Sequence, residues 1–129
     1  MGFTLSTRKV NDVVVIDMSG KLEAGEPVFL LRNTFRRFVE DGTRKFVLNL
    51  GKVTYVDSSG LGELVITYTS ARNRHGDVKL LNLSKIAKDI LQVTKLLTVF
   101  DVFDDETKAV QSLDSGNQPP SWVNRIGQS

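Results

Sequence analysis

The chain has 129 residues, of which 40% are hydrophobic and 25% charged, with 17 basic and 15 acidic side chains giving a formal net charge of +2. That length holds one domain with a single core and is short for two, and no apolar run approaches the roughly 20 residues of a membrane-spanning helix. The opposite charges are interspersed, so a pI near 9.0 does not imply direct nucleic-acid binding, while the absence of cysteine excludes disulfides, thiolate catalysis and the usual zinc sites.

Phe3 to Lys9 alternates apolar with hydroxyl or basic side chains, Asn11-Asp12 supplies a turn, and Val13 to Met18 is a β-branched run suited to a buried strand. The pattern predicts a hairpin. Met1-Gly2-Phe3-Thr4-Leu5-Ser6 also fits the N-myristoylation pattern, but so short a string matches easily by chance and reads better as the start of that strand. Glu26-Pro27 opens a helix in which Val28, Leu31, Phe35 and Phe38 share one face, with Phe29 and Leu30 off it, Arg32, Arg36 and Arg37 on the wet side, and Gly42 as the stop.

Lys45 to Leu50 reads as the next strand. A short link leads to Asp57, placed where a helix N-cap would stand, and the following helix turns Leu61, Leu64, Val65 and Tyr68 inward. Gly76-Asp77 turns the chain into a strand from Val78 to Leu83, and Ser84 caps a helix with Ile86, Ile90 and Val93 inward. A short strand at Thr98 to Phe100 and a helix from about Asp105 to Leu113 complete the domain. From residue 114 the composition shifts to Ser, Gly, Asn, Gln and Pro, predicting a flexible tail over 114–129 in which Trp122, Val123 and Ile126 could dock on the domain or on a neighbour.

Alternating strands and helices predict a mostly parallel α/β sheet. If 13–18 and 45–50 lie parallel, their carboxyl ends emerge along one edge, and Glu23 shares a rim with Ser58. That rim offers small residues, two hydroxyls and two carboxylates without an obvious cleft, which suits a docking surface better than a reaction pocket. Ser58 would sit at the positive end of a helix dipole, where phosphorylation, adding about −1.5 to −2 charges, is tolerated by the fold while changing the surface beside Asp57 and Glu23.

Asp57-Ser58-Ser59-Gly60-Leu61-Gly62 after the strand Phe46-Val47-Leu48-Asn49-Leu50, with Gly20-Lys21-Leu22 closing an earlier strand, resembles the STAS domain, a family named for sulphate transporters and anti-sigma factor antagonists. The likeness runs over roughly the first hundred residues, the size of one domain, and a stand-alone chain is most similar to the bacterial antagonists. The resemblance implies a STAS-like α/β domain over 1–113, with an N-terminal hairpin and about four helices. It further implies an anti-sigma factor antagonist that binds an anti-sigma serine kinase when unphosphorylated and is released by phosphorylation at Ser58. A serine phosphatase resets it, ATP belongs to the kinase, and this chain is no enzyme and carries no cofactor. Partner binding would involve Glu23, Asp57, Ser58, Ser59, Gly60 and Leu61. Glu23 stands where the family often has aspartate, which moves the carboxylate by a methylene.

Other readings of the same residues remain. Asp57-Ser58 could be a helix cap alone. A STAS subunit of a stress-signalling or lipid or anion transport assembly would use the rim as a structural joint, and a weak homo-oligomer is compatible with either role. A serine hydrolase would need a base, and the one histidine, His75, stands at a predicted helix end. Gly60-x-Gly62 is too little for a nucleotide cradle. Asp101, Asp104, Asp105 and Glu106 lack calcium-loop spacing and read as a solvated, capping first turn, with no metal expected. Without cysteine or a signal peptide, a cytoplasmic location is expected.

Overall fold

The computed structural model describes residues 2–114; the tail residues Trp122, Val123 and Ile126 lie outside them. In chain order the elements are β1 (Thr4–Val10), β2 (Val13–Leu22), α1 (Glu26–Glu40), β3 (Lys45–Val56), α2 (Ser58–Asn73), β4 (Asp77–Leu81), α3 (Lys85–Val93), a 3-10 turn at Leu96–Thr98, β5 (Val102–Phe103) and α4 (Glu106–Asp114). The strands form a five-stranded sheet in the order β1-β2-β3-β4-β5. β1 is antiparallel to β2 and all other neighbours are parallel. The mixed sheet with an N-terminal hairpin is therefore the architecture the sequence predicts. Asn11 takes the tight turn with φ 58°, a conformation asparagine tolerates better than most residues.

Side-chain alternation along the strands splits the core in two. Val14, Ile16, Phe46, Leu48, Val78 and Leu80 face α1, α2 and α3, where Leu31, Phe35, Leu64, Tyr68 and Leu91 meet them. Val13, Val15, Val47 and Leu81 face the other way, onto Ala109, Val110 and Leu113 of α4. Both faces of the central strands are covered, which is why they read as near-continuous apolar runs.

Several expectations need correction. β3 does not stop at Leu50: it continues to Val56, paired to β2 through Val56↔Leu22 after its pairing with β4 has ended at Asn49↔Leu81. Gly51 and Lys52 look like a link, but Gly51 is a strand position where a side chain would press on Asn82, and Lys52 is simply exposed. β2 likewise reaches Leu22, with register shifts between Asp17 and Ser19 and between Gly20 and Lys21, bulges that re-aim the strand end.

Thr98 to Phe100 is not a strand. The chain turns at Lys95, φ 64°, winds through the 3-10 turn and seats Phe100 edge-on against Tyr68 at 5.2 Å; the fifth strand is Val102–Phe103, beside Leu80 and Leu81. A short apolar run does not by itself distinguish a strand from a wrapped segment packed on the core. In α3, Val93 is 78% and Ile86 46% exposed, whereas Ala87 and Leu91 are buried in the main core with the sheet residues Phe46, Leu48 and Leu80; the Ser84 cap expected from the sequence is present, accepting from the Ala87 amide at 3.2 Å. Asp114, assigned to the tail by composition, is the last residue of α4.

Arg32 is not merely solvated. It reaches across to α2 and pairs at 2.9 Å with Glu63, whose side chain is 2% exposed, so a buried carboxylate depends on one partly exposed guanidinium. The carboxylates expected on a solvated turn also have separate partners: Asp101 holds buried Lys79 at 2.6 Å, Glu106 holds Arg8 at 2.6 Å, and only Asp105 caps α4, through the Lys108 amide.

The phase of α3 sets a direct comparison. Leu91→Ala should cost about 2–5 kcal/mol of stability through loss of buried volume, while Val93→Ala should stay within about 0.5 kcal/mol; chemical denaturation of the two variants checks it.

Candidate functional site

The site is built from two strand ends. Parallel pairing brings the carboxyl termini of β2 and β3 side by side, with Leu22 opposite Val56. The residues that follow, Glu23 and Asp57, therefore start adjacent loops, and the Asp57 amide donates to the Leu22 carbonyl at 3.3 Å. The two strand ends thus share the edge expected from the sequence.

Asp57 is the N-cap of α2, in extended conformation with φ −94° and ψ −176°. One carboxylate oxygen, Oδ1, accepts from the Gly60 amide at 2.8 Å, satisfying a donor that the first helical turn would otherwise leave without a partner. The other, Oδ2, accepts from the Ala24 amide at 3.0 Å. This second bond is invisible in a linear reading, because its donor lies 33 residues away. It ties the loop after β2 to the start of α2. The Ala24 amide first, and the Gly60 amide after it, hold the Asp57 carboxyl below its ordinary range, because both stabilise the charged form.

Gly60 serves this closure. It is buried, and a Cβ there would overlap the Leu22 carbonyl, so the approach of the strand end to the helix requires glycine. Gly62 is different: nothing lies within 4 Å of where its Cβ would be. Of the two glycines, Gly60 accommodates the chain's own strand and Gly62 faces open space. Leu61 is half-buried against the main core, and its amide makes the first helical bond, to the Asp57 carbonyl at 2.9 Å.

Ser58 and Ser59 are the first residues of α2 and both are exposed. Asp57 supplies the cap, so neither hydroxyl is needed to satisfy the helix end, and Ser58 is held at its positive pole. Glu23 is half-buried and lies one residue before Ala24. Across Gly25, φ 100°, α1 begins with Pro27 in its first turn, which presents Phe29, 60% exposed, at the start of that helix. His75 stands past the far end of the 16-residue α2, about 24 Å along the axis from Ser58, too far to act on its hydroxyl. Two surface grooves, of about 940 Å³ and about 790 Å³, are lined by none of the rim residues.

Two outcomes test this geometry. Gly60→Ala should destabilise by about 1–3 kcal/mol, the cost of overpacking, whereas Gly62→Ala should stabilise by about 0.5–1 kcal/mol through helix propensity. Because folding lowers the Asp57 pKa, its contribution is complete above the unfolded value of about 3.9 and is lost as pH falls through the still lower folded value. The stability difference between the parent and Asp57→Asn should thus be steady from neutrality to about pH 5 and narrow below about pH 4; thermal melts across that range check it.

Residues 4–109 match the model of the STAS domain. BtrV of Bordetella bronchiseptica, provisionally named an anti-sigma factor antagonist, is 27% identical over 71 residues, 55% of this chain and 61% of BtrV, so the match spans less than two thirds of that protein. A solved structure from Thermotoga maritima, also provisionally named an anti-sigma factor antagonist, superposes with a TM-score of 0.78 at 24% identity, over 85% of this chain and 94% of its own. The anti-sigma factor antagonist SpoIIAA in its unphosphorylated form gives 0.67 at 22% identity, over 88% and 98%. The phosphorylated form from Bacillus gives 0.66 at 21%, over 86% and 99%. These structural likenesses concern the fold. The order of elements, the capped Asp57 turn and the span of the family match together make this chain a member of the STAS domain family.

Proposed function

We propose that this protein is an anti-sigma factor antagonist that switches partners through Ser58. Unphosphorylated, it docks on an anti-sigma serine kinase and so frees the sigma factor; phosphorylated at Ser58, it is released, and a serine phosphatase restores it. Glu23, Asp57, Ser59, Gly60 and Leu61 shape the docking rim. The chain acts as substrate and ligand, not as an enzyme, with the STAS domain through the end of α4 at Asp114 as the working unit. No helix among the described residues is long and apolar enough to cross a membrane, which is compatible with the cytoplasmic location such partners require.

The observation that carries this reading is the division of labour at the start of α2. Asp57 provides the helix cap and the loop clamp, leaving the neighbouring Ser58 exposed and available. A phosphate on Ser58 would gain from the helix dipole, so the fold survives. It would also stand beside Asp57 and near Glu23, presenting a bulky anion to any partner that fits the unmodified rim. The likeness to a protein solved with and without phosphate supports the same reading.

Site-resolved phosphopeptide mass spectrometry on protein isolated from its own cells should find phosphate on Ser58 and lose it in Ser58→Ala. Against the kinase so identified, Ser58→Ala should keep its affinity while Ser58→Asp weakens it at least about tenfold, roughly 1.4 kcal/mol. A Ser58 that stays unmodified across growth and stress conditions in a stable complex would instead favour a structural STAS subunit.

A further inference from the structure

We propose that the groove between α1 and α2 is a second docking surface, shaped for an acidic amphipathic helix of a partner protein. It begins at the Arg32–Glu63 pair and runs away from Ser58 toward the other end of both helices. It has a volume of about 790 Å³ and carries four arginines, Arg32, Arg36, Arg44 and Arg74, against two glutamates, Glu40 and Glu63. Glu63 is already neutralised by Arg32. In a chain whose total formal charge is only +2, this concentration is local and does not follow from composition.

The guanidiniums are incompletely used. Arg36 has no hydrogen bond or ion pair among the described residues and is exposed. Arg44 donates through Nη1 to the carbonyls of Val39 and Thr43 at 3.1 and 3.0 Å, and Arg74 donates through Nη1 to the Ser70 hydroxyl at 2.9 Å. Such contacts suit cations near the carbonyl ends of helices, yet they use one nitrogen of each fork and bring no opposite charge. A carboxylate could still be received by the rest of either group.

Between these cations the floor is apolar. Phe35 and Val39 line it from α1 and Ile66 from α2, and Ile66 is 54% exposed. From Glu63 to Arg74 the α2 wall is about 16 Å long, three turns of helix. An amphipathic helix with apolar residues at i, i+3 or i+4, and i+7 would cover that floor and bring its flanking carboxylates to the arginines. Phe35 is 7% exposed, so the apolar surface a partner can reach is chiefly Ile66 with half-buried Val39, flanked by the arginines. A nucleic acid would find no exposed aromatic ring in the groove on which to stack a base. An acidic protein segment uses both the floor and the charge.

The test uses the full-length protein and a fluorescein-labelled, helix-stapled peptide of about four turns, with leucine along one face and glutamate elsewhere. Its control carries lysine in place of glutamate, and vesicles containing phosphatidylserine form a separate arm. Saturable binding of the glutamate peptide is expected, at least about tenfold weaker for the lysine peptide and for the double variant Arg36→Glu/Arg74→Glu. Ile66→Ser should also weaken it, and Ser58→Asp should leave it unchanged; thermal melts confirm that each variant is folded. The proposal is overturned if the glutamate peptide does not bind, if the lysine peptide or the charge-reversed variant binds equally well, or if only the vesicles bind. Loss of binding in Ser58→Asp with none in the groove variants would place the peptide on the Ser58 rim and equally overturn it.

Discussion

The carboxylate of Asp57 joins two parts of the chain that would otherwise be independent loops. One oxygen caps the start of α2 and the other holds the Ala24 amide, so the ends of two parallel strands and the starts of two helices become one unit. A cap normally concerns only its own helix. Here the cap also ties the loop that carries Glu23 to the helix start that carries Ser58, so the rim proposed for docking would take its shape from a single ionised side chain. Protonating that side chain weakens both bonds together, which couples the site's geometry to the carboxylate's charge.

This arrangement rests on close packing beneath it. β2 and β3 both extend past the sheet's central rows, and the pair Leu22↔Val56 brings the Leu22 carbonyl against α2 at Gly60. Any side chain at residue 60 would push the helix from the strand and stretch the bonds that Asp57 makes. Val53 and Val56 bury the extended end of β3, so the strand that carries Asp57 is part of the core up to the residue before the site. The result is an exposed serine on a rigid base, and a modification there changes a surface without needing to change a fold.

Charge is distributed with similar economy. The buried Glu63 is met by Arg32, and the buried Lys79 by Asp101 and Asp77. Burial opposes the charge on Lys79, but its two carboxylates outweigh that and raise its pKa. Arg8 bridges the β2 residue Asp17 and the α4 residue Glu106, fastening the last helix to the edge hairpin. Against these paired charges, Glu23, Arg36 and Ile66 stand out as groups the fold itself leaves available to others.

Much was legible in the linear chain because it depends on neighbours in sequence. The hairpin at Asn11, the buried face of α1 with Phe29 left outside, the Asp57 and Ser84 caps, and the resemblance carried by Asp57 to Gly62 all follow from local rules of turn, period and capping. The misread elements depend on distant partners. Whether β3 passes through Gly51 is decided by β2 beside it; whether Leu96 to Phe100 is strand or wrap is decided by the seat that Tyr68 offers to Phe100; the inward face of α3 is decided by the sheet it lies on. The same holds at the site. Sequence alone determined that Asp57 would cap and that Ser58 would follow it, since a cap needs only the next three residues. Only the tertiary structure decided that Asp57 also holds Ala24 and that Arg32 answers Glu63, because a hydrogen bond or ion pair between residues some thirty apart exists only once folding has brought them together.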